Sequence, residues 1–399
     1  MRNQRYSSSI SSFPGQASAP RVVPHFLRKG DNLPLAKNSP QFQPRVALYS
    51  GGSDGEALRR NIAIAHSLEV SHLKANVLLI TEPHQNPTIP SPQGLTCIHL
   101  PADTESEERS QLALEALASF SPDAVVIDSL PFGLRREFDC IINLLKRSNI
   151  RCVLGLESGP THTIPEQAQR LYDQIWAYCD RDLYDFSREY NFTNGTRKKI
   201  CHTGYLDHLS QHRTKTTASA SQTLILFMLD NVEDYADASE TLINTPLPPH
   251  SRATLITGTN VPIHIKTGLR QLTSAQDNIE VVDDCDKRDN LLAQADFIVA
   301  MGNHIPLHAA EVNGKATLLI PAEQKVCRTT KRLAKLNVAE VVNMSETTTE
   351  TISNWLHQKA ESDHSPNSQL IDCKGLSRLP GLLGALLTTN RRQPSRQVV

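Results

Sequence analysis

Arg59 and Arg60 stand a few residues after a glycine turn, Gly51-Gly52-Ser53-Asp54-Gly55. An anionic ligand needs guanidinium charge or backbone N–H donors at a helix N-terminus, and this stretch offers both. Gly51, Gly52, Arg59 and Arg60 are therefore candidate substrate-binding residues; the plainer role for the arginines is solvent exposure on a helix. Glu56 opens the helical pattern. It is a candidate general base, and otherwise a carboxylate that balances the helix dipole. Asp128 ends an apolar run, at the carboxyl end of a strand, where cleft residues belong. Its alternative is to cap the next segment. His162, in Ser158-Gly159-Pro160-Thr161-His162-Thr163, is either a relocated base or a plain loop histidine. A second glycine turn, Gly302-Asn303-His304, follows the strand-like run 295–299 and adds three candidate ligand contacts. His304 and His308 share one face of a helix. No further ligand accompanies them, so no metal site is expected.

These residues need elements to hold them. Arg45 to Tyr49 reads as a buried strand, and Leu58 to Leu68 has helical spacing, which gives a strand–glycine turn–helix opening. Strands follow at 76–81, 96–100, 124–128 and 151–155, with helical patterns at 105–120 and 134–147. The polar stretch 211–222 has linker composition. The alternation then restarts, with strands near 223–229, 253–257, 279–282, 296–300, 317–320 and 340–342, and helical patterns at 327–336 and 346–359. Strands alternating with helices predict parallel sheets covered on both faces. The expected architecture is α/β, with two tandem Rossmann-like domains facing an interdomain cleft. Its expected limits are a disordered tail over 1–43, a first domain over 44–210, a linker over 211–222, a second domain over 223–362 and an irregular tail over 363–399.

Bulk properties narrow the function. The chain has 399 residues and a formal net charge of -1. No global basic field marks nucleic acid as a partner. No apolar run reaches the roughly 18–20 residues that span a bilayer, so no transmembrane segment is expected. The eight cysteines are scattered and form no CxxC pair. They read as buried thiols of a reducing compartment.

Four blocks carry a family resemblance. The first is Arg45-Val46-Ala47-Leu48-Tyr49-Ser50, the glycine turn, and Leu58-Arg59-Arg60-Asn61-Ile62-Ala63-Ile64-Ala65. The second runs from Ser121 through Asp128 to Leu130-Pro131-Phe132-Gly133-Leu134-Arg135-Arg136-Glu137. The third is Tyr172 to Tyr178, continuing to Thr203-Gly204-Tyr205-Leu206. The fourth is Leu291 to Pro321. Together, and in this order, they resemble the MurG-like GT-B glycosyltransferases, a bacterial group with a family 28-type C-terminal domain. The resemblance implies sugar transfer from a nucleotide-sugar, UDP-linked, that serves as co-substrate. No cofactor and no metal are implied. The implied acceptor is a glycan, a lipid or a small molecule. The implied setting is envelope or exopolysaccharide synthesis in the cytoplasm, with peripheral contact at the inner face of the membrane as the alternative placement.

The donor side departs from the family pattern at three points. Glu56-Ala57 replaces a Gly-His pair. Met228-Leu229-Asp230-Asn231-Val232-Glu233-Asp234 replaces a glycine-rich phosphate loop, and its carboxylates would repel a diphosphate. Ala309 stands where the family has a ribose carboxylate. Glu311, two positions later, is turned by about 200 degrees on a helix. The alternative function is therefore a catalytically degenerate homologue, a pseudoenzyme that binds or scaffolds. An ordinary NAD-binding enzyme fits less well, because the first turn is not GxGxxG and Glu82 stands alone as a ribose ligand.

Overall fold

The computed structural model describes residues 43–51, 56–82, 95–157, 164–207, 222–230, 232, 234–258, 261–283, 287–302, 315–321, 328–362 and 371–388. The first sheet holds β1 (Arg45–Ser50), β2 (Asn76–Thr81), β3 (Thr96–His99), β4 (Ala124–Asp128), β5 (Arg151–Glu157), β6 (Gln174–Tyr178) and β7 (Ile200–His202). Their spatial order is β3-β2-β1-β4-β5-β6-β7, and every pairing is parallel. The sequence pattern did not mark β6 or β7 as strands. The second sheet holds β8 (Thr223–Asp230), β9 (Ser251–Thr257), β10 (Ile279–Asp283), β11 (Phe297–Gly302), β12 (Ala316–Ile320) and β13 (Glu340–Val341). Its order, β10-β9-β8-β11-β12-β13, repeats the first. The predicted α/β class, with two parallel sheets in tandem, is what forms.

The strands are apolar on both faces because helices cover both faces. In β1, Val46 and Leu48 pack to one side with Leu58, Ile64 and Leu68 of helix α1 (Glu56–Val70). Ala47 and Tyr49 pack to the other, with Ala113 and Leu117 of helix α2 (Ser106–Phe120). Each fully buried Leu or Ile contributes about 1.5–3 kcal/mol, which is why the short apolar runs outweigh the weak local preference of any one segment.

Two sequence expectations change. The first is the helical pattern at 134–147, which forms a helix only over Ile141–Arg147, here α3. Residues before it turn instead, because Glu137 is drawn inward and fully buried.

In the second domain the helices include α4 (Ile263–Thr273), α5 (Arg328–Lys335) and α6 (Thr349–Glu361). Ile352, Trp355 and Leu356 of α6 complete one face of that core. The linker expected at 211–222 lies outside the described residues except for Gln222.

The second change concerns the expected irregular tail, part of which is a helix, α7 (Gly375–Thr388). Leu379, Leu383 and Leu386 lie on one helical face and join the α1 side of the first core. Ser67 Oγ also donates to the Leu376 carbonyl at 2.6 Å. The returning chain crosses the first domain at Gly204, whose φ is +84°. A side chain there would meet the Asp372 backbone oxygen at 2.8 Å, so the crossing needs glycine.

Candidate functional site

In a doubly wound sheet, ligands bind at the carboxyl edge, where the strand order reverses. In the first sheet that point lies between β1 and β4. The register sets Ser50 beside Asp128, and Asp128 beside Gly155. One step further along, Glu157 sits beside Tyr178 of β6. Side chains alternate between faces along a strand. The core partners of Val46, Leu48, Val126, Val153 and Trp176 show that this row faces α1. Four strands, β1, β4, β5 and β6, thus present Ser50, Asp128, Gly155, Glu157 and Tyr178 to the opening turns of one helix.

That helix supplies Arg60 and Asn61. Arg60 Nε donates to Asp128 Oδ2 at 3.0 Å, and Nη2 lies 2.9 Å from the same oxygen. Nη1 donates to Glu157 Oε2 at 2.5 Å. Asn61 Nδ2 donates to Asp128 Oδ2 at 2.8 Å. Ser129 has a φ of +63°, and its hydroxyl accepts from Arg60 Nη2 at 3.3 Å. A non-glycine residue in that region costs about 1 kcal/mol or more and persists where the surroundings impose it. Here the Arg60 clamp is part of those surroundings.

The charges follow from burial. Burial works against the Arg60 guanidinium but is outweighed by Asp128 and Glu157, so its pKa is well above arginine's usual value. Burial pushes the Asp128 carboxyl up, against the opposing pull of Arg60, Asn61 and Ser129, and its pKa stays above the ordinary aspartate range. Tyr178 is likewise raised, first by burial and then by Asp128.

These facts revise the candidates. Asp128 does reach the carboxyl edge, but it is fully buried and ion-paired. It holds Arg60, and a base for an incoming hydroxyl would need an exposed oxygen. Arg60 is not a solvent-exposed helix residue; its side chain is 12% exposed. Arg59 is half-buried beside it. Gly51 is buried at the end of β1, where a Cβ would meet the Tyr49 ring at 2.6 Å. Glu56 is the first residue of α1, the place of a dipole-balancing carboxylate. The Glu56 side chain, Gly52, His162, Asn303 and His304 lie outside the described residues. So do His308, Ala309 and Glu311.

Glu157 is one of the cluster's residues that the sequence did not single out, with Ser50, Asn61 and Tyr178. It is the most open group of the cluster, with its side chain 21% exposed. The only signal was a carboxylate closing an apolar run, the same signal that marked Asp128.

A second polar cluster lies at the same edge on the opposite face. Glu137 Oε1 accepts from the Tyr49 hydroxyl at 2.6 Å and from Arg109 Nη2 at 2.8 Å. Glu137 Oε2 accepts from the Arg135 N–H at 2.7 Å. Arg109 also pairs with Glu82 at 2.7 Å, so Glu82 serves this cluster rather than standing alone. Burial would raise the Glu137 pKa; the bonds from Tyr49, Arg109 and the backbone outweigh it and hold the carboxyl below its usual range.

In the second sheet the order reverses between β8 and β11, where Asp230 is in register with Gly302. Gly302 has a φ of +133°, open to glycine and costly for any other residue. Lys315, just before β12, donates to the Ala293 and Ala295 carbonyls at 3.1 and 2.6 Å. It closes off a helix end. A cavity of about 460 Å³ opens between Arg252, Thr273 and Asn278. It lies at the amino ends of β9 and β10, the edge that parallel sheets do not use for ligands. Among the described residues no group of three His, Cys, Asp or Glu could hold a metal ion, and no helix is long and apolar enough to cross a membrane.

No protein-family model matches the sequence, and no curated protein matches it. Solved structures do. The UDP-GlcNAc 2-epimerase from Neisseria meningitidis, bound to UDP-GlcNAc, aligns over 87% of this chain and 100% of its own, with a TM-score of 0.59 and 10% identity. The glycotransferase of kitacinnamycin aligns over 88% and 99%, with a TM-score of 0.54 and 14% identity. Acinetobacter baumannii MurG aligns over 86% and 99%, with a TM-score of 0.51 and 14% identity. At such identities the likeness is one of fold, and it is extensive: two parallel sheets of the same strand order make this chain a GT-B-type α/β protein with two Rossmann-like domains.

Proposed function

We propose that this protein is a metal-independent glycosyltransferase that takes its sugar from a UDP-linked donor. The second domain holds the nucleotide, and the first holds a glycan, lipid or small-molecule acceptor. The observation that carries this reading is the paired architecture: two parallel sheets with matching strand order, each with a switch point at its carboxyl edge. The first switch point is polar, and the second ends in a glycine. In the reaction the acceptor oxygen bonds to the anomeric carbon as the bond to the diphosphate breaks. The acceptor proton passes to a base, and domain closure excludes water. The MurG-like resemblance of the sequence points to envelope or exopolysaccharide synthesis on the cytoplasmic side.

One observation favours a second reading, a degenerate homologue that binds without catalysing. Asp128 and Glu157, the carboxylates of the first switch point, are both committed to Arg60.

Calorimetric titration with UDP, GDP and their sugars separates the two. Binding tighter than about 100 μM, near −5.5 kcal/mol, supports the transferase and names the nucleotide. Silence at millimolar ligand removes the transferase reading and leaves the scaffold.

A further inference from the structure

Between Glu323 and Glu340 the chain carries Lys325, Arg328, Lys331, Arg332 and Lys335 and no carboxylate, in a protein of formal net charge -1. Four of these cations belong to α5. At about 100 degrees of turn per residue, Arg328, Lys331, Arg332 and Lys335 fall within about 100 degrees of arc. Thr330 and Leu333 occupy the other side and are buried, and Leu333 packs with Leu319, Val338 and Ala339. Lys331 and Lys335 are exposed, and Arg332 is half-buried. None of these three forms an ion pair with a described residue. Other helix cations do, such as Arg170 with Glu166 and Lys359 with Glu340. Helix stability does not ask for this pattern. Arg332 and Lys335 suit the last turn. Arg328 and Lys331 stand in the first turn, against the positive end of the dipole, and no acid there offsets them. The pairs Arg328–Arg332 and Lys331–Lys335 also place like charges four residues apart, which repel.

We propose that the outer face of α5 docks this protein on an anionic lipid surface. Charge complementarity selects the partner. A row of lysines and arginines on a convex helix suits a plane of phosphate headgroups, which asks for charge and no fixed shape. Each cation near such a surface contributes about fivefold in affinity, the equivalent of about 1 kcal/mol. The apolar side of α5 is spent on the core, so the helix lies on the headgroups without inserting, and the contact is electrostatic and salt-sensitive. Single-stranded nucleic acid is the poorer match, because α5 has no aromatic side chain on which a base could stack. Leu333 packs beside the β12–β13 end of the sheet, two strands beyond the switch point between β8 and β11. Docking there leaves that switch point free. The inference does not rest on the transferase reading.

The test is co-sedimentation of the full chain with vesicles of phosphatidylcholine alone, or with about 30% phosphatidylglycerol added to supply the negative surface. The wild type should bind the anionic vesicles and not the neutral ones. Binding should fade as salt shortens the Debye length from about 10 Å at 0.1 M to about 3 Å at 1 M. Lys331→Glu and Lys335→Glu each change the charge by two units, so each should weaken binding about 30-fold, and the double variant should abolish it. Thermal unfolding checks that the variants fold. Should a reversal destabilise the chain, Lys331→Gln and Lys335→Gln give the same reading at about fivefold each. Lys198→Glu, at an exposed position of the first domain, carries the same charge change and should bind nearly as the wild type does. Failure of the wild type to bind anionic vesicles, equal binding to both compositions, or full binding by the double variant overturns the proposal. Equal loss in Lys198→Glu also overturns it, because net charge and not α5 would then be responsible. Single-stranded RNA is run in parallel. Retention by RNA but not by vesicles overturns the lipid assignment in favour of a nucleic acid.

Discussion

The two polar clusters of the first sheet share an edge and differ in how open their carboxylates are. On the α2 face, Glu137 has both oxygens bonded, and Arg109 spends Nη1 on the Leu100 and Pro101 carbonyls and Nη2 on Glu82 and Glu137. It ties β1, β2, α2 and the turn after β4 together. Buried side-chain atoms without a hydrogen-bond partner among the described residues remain on both faces: Arg109 Nε and Glu82 Oε1 on the α2 side, and Ser50 Oγ, Asn61 Oδ1 and the Tyr178 hydroxyl on the α1 side. The carboxylates are what differ: the α2 cluster acts as a staple around Glu137, fully buried and bonded at both oxygens, whereas Glu157 of the α1 cluster keeps its side chain 21% exposed at the carboxyl edge.

Removing Arg109 should be the most damaging test of that contrast. Arg109→Ala leaves Glu137 and Glu82 facing each other in a buried setting, at a cost of about 3–5 kcal/mol. Chemical denaturation would register it as a lower midpoint. A loss under about 1 kcal/mol would mean that the staple is not what holds this edge, given the usual penalty for stranding a buried charge. Gly155→Ala probes the α1 face. The new methyl must displace the Tyr178 hydroxyl, which should cost about 1–3 kcal/mol as overpacking. Tyr178 fluorescence and unfolding midpoints would follow it, and an unperturbed protein would place Tyr178 elsewhere.

The smallest effect is a pH signature of opposite sign on the two faces. The Glu137 pKa is lowered from 4.5, so its contribution is complete above about 4.5 and is lost as pH falls through the folded value. The Asp128 pKa is raised from 3.8, so its contribution is complete below about 3.8 and is lost as pH rises through the folded value. Glu137→Gln should flatten the acid limb of a stability–pH curve, and Asp128→Asn should steepen the loss on acidification. Parallel changes in the two variants would erase the distinction.

Much of the fold was legible in the chain. Runs such as Val46-Ala47-Leu48-Tyr49 and Ala124-Val125-Val126-Ile127 carry their own burial, and the turns between them are marked by glycine. The site was less legible. Asp128 and Arg60 stood out as types, but their pairing spans 68 residues and that of Arg60 with Glu157 spans 97. Asn61 gave no signal, because an amide one position from an arginine looks like surface. The spacing around Glu137 is helical, yet the chain turns there because Tyr49, Arg109 and the Arg135 N–H hold the carboxylate inside.

The sequence alone determined the alternation of apolar strands with amphipathic helices, and with it two parallel sheets. Hydrophobic burial acts on local patterns, and those patterns are written in order along the chain. Tertiary structure decided which carboxylates became buried partners and which stayed open, and where the last helix docked. Register across β1, β4, β5 and β6 brings Ser50, Asp128 and Gly155 into one row, with Glu157 and Tyr178 in the next on the same face. Electrostatics in that row depends on distances that no linear pattern encodes. The apolar face of α7 likewise specified that it be covered, but the packing against α1 and the glycine crossing at Gly204 specified the surface that covers it.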